Sequence, residues 1–210
     1  MGPRMMRECL QQAIDAADPL RHDAVVLGYA LCGMGLAGLR AGQLPLVAPR
    51  AHDCIGLLLG SAGRYEQLVT EEPGTYFRSC GWVERAADLT PAGLRETGVG
   101  MSLADLIAKY GEDNGFYLYR EFTRYQQNYK RLVYIRTSAG ETRAEQNARD
   151  EAESRGWRFE PVTGDPGWFR RLTAGEWNGS ADFVVAQPGE HFEARYDGTI
   201  FAAAATTEVS

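Results

Sequence analysis

The chain has 210 residues, of which 44% are hydrophobic, 24% charged and 10% aromatic, and its formal net charge is −6 at pH 7. That length can bury a substantial core as one large domain or two small ones, and the acidic balance argues against nucleic acid or an anionic membrane as partner. No apolar run approaches the ~18 residues of a membrane span.

Taken in chain order, the elements alternate helix and strand. Residues 3–17 place Met6, Leu10, Ala13, Ile14 and Ala17 on one stripe, which predicts an amphipathic helix rather than a signal peptide. Short apolar runs at 23–30, 45–50, 75–82, 131–137 and 182–189 suit strands buried on both faces, and residues 157–165 alternate like a strand nearer an edge. Residues 54–69 predict a helix with Asp53 as N-cap, and 102–130 two helices broken near Gly111–Gly115. Residues 139–157 carry strong helix formers, with Gly156 ending them. The expected fold is α/β, a mostly parallel, Rossmann-like sheet flanked by helices in two lobes, one domain over 1–198 with a break near 86–101. Residues 199–210 are expected to be a disordered tail.

The loops at 29–33, 49–54, 79–82, 137–142, 164–168 and 187–191 each follow a predicted strand. In an open parallel sheet they would share the carboxyl rim, where ligands bind.

Two chemistries compete within "GYALCGMGLAGLRAGQLPLVAPRAHDC", residues 28–54. Gly33-x-Gly35-x-x-Gly38 follows a strand, and Asp53 lies where a ribose-binding acid of a nicotinamide dinucleotide site belongs. With Gly at 24 of 210 residues, such a pattern arises by chance about 0.3 times per chain of this length. The segment Gly33–Leu44 also leaves room for only about two helical turns before the next strand. A tight turn with packing glycines is the plainer reading.

The thiol reading rests on Cys32, His52 and Cys54. In an extended segment His52 and Cys54 face the same side, so both could reach one ion. Cys54 opens a predicted helix, where free N–H groups favour thiolate, and Arg50 adds positive charge. Cys32 ends the preceding strand. His-x-Cys with a distant Cys is a ligand pattern for zinc, or another transition metal, that holds a substrate thiol as thiolate. Cys80 is a weaker fourth ligand, and Cys9 reads as packing or surface. Asp53 would cap the helix or orient His52. His22 and His191 read as surface histidines, Glu71-Glu72 and Asp150-Glu151-Glu153 as solvated faces. Trp82, Trp168 and Trp177 either wall a pocket or pack the sheet ends. Four cysteines without a secretion signal fit reduced thiols in the cytoplasm.

The successive blocks "DAVVLGYALCGMGLAGL", "PLVAPRAHDCIGLLLGS", "PGTYFRSCGW", "NYKRLVYIRT", "AEQNARDEAESRGWRFEPVTGD" and "LTAGEWNGSADFVVAQPG" resemble the domain of unknown function 1638 family over about residues 3–198. The family pattern includes Cys32, Arg50, His52, Asp53 and Cys54, has Gly in place of Ala30, and does not feature Cys80. Its members are often encoded beside corrinoid-dependent methyltransferases. The resemblance therefore implies a role in methyl, or one-carbon, transfer with a corrinoid protein or methyltransferase as partner and a small-molecule thiol as possible substrate. Longer members open with a further strand and a Cys-Gly turn, so the resemblance also implies that this chain starts inside the first helix. A non-catalytic adaptor for a corrinoid protein is the alternative.

Overall fold

The computed structural model describes residues 3–32, 34–81, 102–124, 128–137 and 142–206. Among them are seven helices and eight strands. The chain divides into two compact units, Glu66–Gly164 and a discontinuous unit of Gly2–Tyr65 with Asp165–Ser210. The expected break near 86–101 lies outside the described residues.

The discontinuous unit begins with α1 (Pro3–Asp15), followed by β1 (Val25–Val26) and β2 (Leu46–Pro49). Of the predicted stripe on α1, Ile14 is 2% exposed and Leu10 packs beside it against the main core, whereas Ala13 is exposed and Ala17 lies past the helix end. Gln11 ties the helix to the following loop, its Nε2 donating to the Arg40 carbonyl at 3.1 Å while its Oε1 accepts the Arg40 N–H at 2.9 Å. The unit continues with α2 (Cys54–Leu59), the start of α3 (Ala62–Glu71), α7 (Gly167–Thr173), β6 (Phe183–Ala186), β7 (Glu190–Ala194) and β8 (Phe201–Ala205). Strand β2 is buried along its whole length, as its unbroken apolar run requires. It pairs parallel with β1 and antiparallel with β6, while β7 and β8 form a separate antiparallel ribbon.

In the other unit, β3 (Thr75–Ser79), β4 (Arg131–Arg136) and β5 (Arg158–Thr163) form an all-parallel sheet in that order. Edge strand β5 matches the alternating pattern read for residues 157–165. Helices α4 (Leu103–Tyr110) and α5 (Glu112–Arg124) break at Gly111, whose φ of +82° ends the first. Helix α6 (Arg143–Ser154) starts at the Thr142 cap and gives way at Gly156, with φ +68°. Its buried Ala144, Ala148 and Ala152 recur every fourth residue, one small-residue face that lets the helix lie on Leu132 and Tyr134 of β4. Arg131, 2% exposed, is satisfied by Glu160 at 3.1 Å, Thr75 at 3.0 Å and the Leu68 carbonyl.

Three expectations need correction. The strands do not form one mostly parallel sheet but three small sheets, with β6 reversed against β2. The loop after β6 therefore leaves its sheet at the end opposite the loop after β2, so the predicted loops share no single carboxyl rim. The helix expected over 54–69 is two helices, because Gly60 adopts φ +72° and a Cβ there would come within 2.6 Å of Asp165. Residues 201–205, read as part of a disordered tail, are strand β8. Phe201 anchors them, stacked edge-on against Phe192 at 5.2 Å between ring centroids, and the alanines behind it pair with β7.

Candidate functional site

The backbone ladder between the β1 and β2 segments runs on past both strands. Leu27 N–H donates to the Val47 carbonyl at 2.8 Å, Leu31 N–H to Ala51 at 3.0 Å and Cys32 N–H to His52 at 2.9 Å. This register sets Cys32 beside the 52–54 segment. At that point the first segment turns back on itself: Cys32 has φ +43° and Met34 φ +74°, left-handed values that a non-glycine residue adopts only under constraint. The Gly35 N–H donates to the Leu31 carbonyl at 2.8 Å and closes the turn.

The second segment passes into α2. Asp53 is extended, at φ −147° and ψ 173°, and its carboxylate accepts the N–H groups of Ile55 at 2.9 Å and Gly56 at 3.2 Å. Asp53 is thus the N-cap that the sequence predicts, and its carboxylate is committed to the helix. Cys54 is the first residue of α2.

Cys32 and Cys54 are both half-buried, and each shifts the titration of the other. Hydrogen bonding from the Cys54 thiol, then from the backbone at Ala30 and Cys54, favours the Cys32 thiolate. These outweigh burial and the Asp53 charge, which act the other way, and the Cys32 thiol falls to about 7. Cys54 moves upward, first because its proton is held by Cys32, then because of burial and the negative charges of Cys32 and Asp53. Of the two sulfurs, Cys32 is the one favoured as thiolate.

The remaining residues singled out from the sequence are placed differently. His52 is exposed. Its backbone carbonyl serves the ladder, yet its imidazole does not join the sulfurs. Among the described residues no group of three or more His, Cys, Asp or Glu side chains is placed to hold a metal ion. The same-side argument for His52 and Cys54 required an extended chain through Cys54, and the helix starts there instead. Cys80 belongs to the other unit and packs on its core beside Tyr76 and Trp157. Cys9 and His22 are exposed. His191, expected at the surface, is half-buried in β7 with its Nδ1 buried and unpartnered among the described residues.

Arg50 is fixed by backbone carbonyls: Nε donates to Ala181 at 2.9 Å, and Nη1 to Thr199 at 3.0 Å and Phe201 at 2.8 Å. It lines a cavity of about 500 Å³ with Ser61, Gly63, Trp168, Arg171 and Ile200. Arg171 gives no signal in the sequence; it pairs with Asp182 at 2.6 Å. Trp168 packs in the core against Ala30, Ala51 and Leu57, and Trp177 packs beside Leu172 and Phe183. Trp82 lies outside the described residues.

Within the glycine pattern the described residues make no helix. Gly33 lies outside the described residues, and residues 34–38 form turns. A Cβ on Gly35 would meet the Met6 methyl of α1, the movable end of a flexible side chain. The helix N-terminus that cradles a pyrophosphate does not begin here.

The family described as "Protein of unknown function (DUF1638)" matches residues 1–173. No curated protein and no solved structure matches the chain.

Proposed function

Since the chain belongs to the DUF1638 family, we propose that Cys32 and Cys54 form a cytoplasmic thiolate centre serving corrinoid-linked methyl transfer. What supports this reading is the backbone register that brings Cys32 to the segment where α2 starts at Cys54, together with the lowering of the Cys32 thiol to about 7 by its neighbour Cys54. A thiolate is the reactive form of cysteine, and one with a value near ambient pH combines a useful charged fraction with retained nucleophilicity. In this reading Cys32 attacks a methyl carbon, an S–CH₃ bond forms, and the donor leaves with the electron pair of the broken bond. Cys54 holds the neighbouring proton throughout. The partner is a corrinoid protein or methyltransferase, and a small-molecule thiol is the candidate final acceptor. We also read the β3–β4–β5 unit, with α6 connecting two parallel strands, as Rossmann-like.

Zinc or another transition metal on the two sulfurs would need donors beyond the pair, because catalytic zinc has three protein ligands. The described residues as placed do not supply that set, and no step here depends on a metal.

A second reading, a non-catalytic adaptor for a corrinoid protein, is favoured by aromatic exposure on α4 and α5. Tyr110, Phe116 and Tyr117 are 41%, 51% and 56% exposed, and aromatic side chains are enriched where proteins meet.

Fully reduced protein incubated with a methylated corrinoid protein separates the two. The thiolate reading expects methyl on the Cys32 peptide by mass spectrometry, none in Cys32→Ser, and unchanged co-purification in that variant. A wild-type protein that never acquires methyl while still binding the corrinoid protein would overturn it in favour of the adaptor.

A further inference from the structure

We propose that the cavity beside Arg50 and Arg171 binds a small organic phosphate ester by its phosphoryl group. The site is built from other residues than the two cysteines, so it stands or falls independently of the thiolate reading.

The cavity measures about 500 Å³, within the roughly 300–1,000 Å³ typical of small-molecule sites. Its lining comes entirely from the discontinuous unit. The lining is positive: two guanidinium groups, of Arg50 and Arg171, stand against one carboxylate, that of Asp182. That local sign opposes the net charge of −6 on the whole chain. Both arginines are anchored and still retain donors. Arg50 uses Nε and Nη1 on three backbone carbonyls, and its Nη2 has no acceptor among the described residues. Arg171 is held through Nη2 by Asp182 at 2.6 Å and lies over the Phe183 ring at 5.2 Å. Its Nε and Nη1 have no acceptor among the described residues. Anchoring sets both guanidinium groups in place before a ligand arrives, which reduces the ordering that binding must impose.

A further wall is Ser61 with the first residues of α3. The Ser61 Oγ accepts the Arg64 N–H at 3.3 Å, and its hydroxyl proton remains a donor. The Ala62 and Gly63 amides fall in the first turn, where a helix offers them no acceptor. Guanidinium groups, a hydroxyl and amides together suit a phosphoryl group, which carries a charge of about −1.5 to −2 on three accepting oxygens. Trp168 and Ile200, both nearly buried, add apolar wall for an organic body. A phosphate ion alone would fill only a fraction of this volume, so an ester suits it better.

Calorimetric titration of the full chain at low ionic strength tests this, with phenyl phosphate, inorganic phosphate and benzoate as probes. Phenyl phosphate is expected to bind one site per chain, and more tightly than either of the other two. Arg171→Gln should weaken it about tenfold or more, the loss of one charge-assisted hydrogen bond. Ser61→Asp keeps a good helix cap but sets a carboxylate in the wall. It should abolish binding and leave the thermal midpoint of the unliganded chain unchanged, so it decides the matter even should Arg171→Gln not fold. No heat with phenyl phosphate, equal affinity for benzoate, or undiminished affinity in Ser61→Asp would overturn the inference. Equal affinity for inorganic phosphate would overturn the ester.

Discussion

The Cys32 sulfur is shaped by its neighbour, not by a positive charge. Its hydrogen bond from Cys54 leads the downward shift, and the Asp53 carboxylate opposes it. Alkylation of Cys32 should therefore rise with pH through a midpoint of about 7, because the thiolate fraction grows as pH passes that value. Cys54→Ala removes the donor and should move the midpoint toward the ordinary thiol value of about 8.5. Cys54→Ser keeps a hydroxyl donor and should fall between the two. Iodoacetamide rates across pH measure all three, and an unchanged midpoint in Cys54→Ala would refute the role of Cys54 in lowering Cys32. Arg50 acts by other means. Its three bonds to the carbonyls of Ala181, Thr199 and Phe201 join the end of β2 to the β6 and β8 segments. Arg50→Ala should cost about 1.5 kcal/mol in urea unfolding, the low end of the roughly 1.5–3 kcal/mol for hydrogen bonds to charged groups, since the bonds to Ala181 and Thr199 are exposed and only that to Phe201 is partly buried.

At the scale of elements, helix α6 depends on Glu145, which is fully buried near its start. Arg136 of β4 donates to both its oxygens, at 2.8 Å and 2.6 Å, so the carboxyl is held below its usual range. The lowered value means that the stabilisation is complete above the unfolded carboxyl value of about 4.3 and is lost as pH falls through the folded one. Glu145→Gln should destabilise the protein by about 1–3 kcal/mol at neutral pH and lose this part of the acid dependence, which denaturation at several pH values would detect. The same scale explains what could be read from sequence. Asp53, Gly111 and Gly156 act through their own backbone or the next few residues, and each does what its local pattern predicts. Gly60 breaks a predicted helix because of Asp165, over a hundred positions away, and no window around residue 60 contains that fact.

For the whole molecule, two compact units carry separate cores, one around Leu36, Leu46 and Phe192 and one around Leu132, Tyr134 and Ala148. Amide exchange in Glu145→Gln should accordingly rise within residues 66–164 and not in β2 or β6; a rise spread over both would show that the chain unfolds as one. Among the described residues no helix is long and apolar enough to cross a membrane. The alternation of apolar runs with helical stretches determined an α/β chain and the positions of most elements, because side-chain period and capping are local properties. Cys32, His52 and Cys54 were likewise visible as the reactive letters of their stretch. Which of them meet was decided only in three dimensions. The β1–β2 register brings Cys32 to the 52–54 segment, and the start of α2 at Cys54 leaves His52 in solvent while Cys54 favours the Cys32 thiolate. Strand direction was hidden for the same reason: a buried apolar run reads alike in a parallel and an antiparallel neighbour, and only the pairing of β2 with β6 separates them.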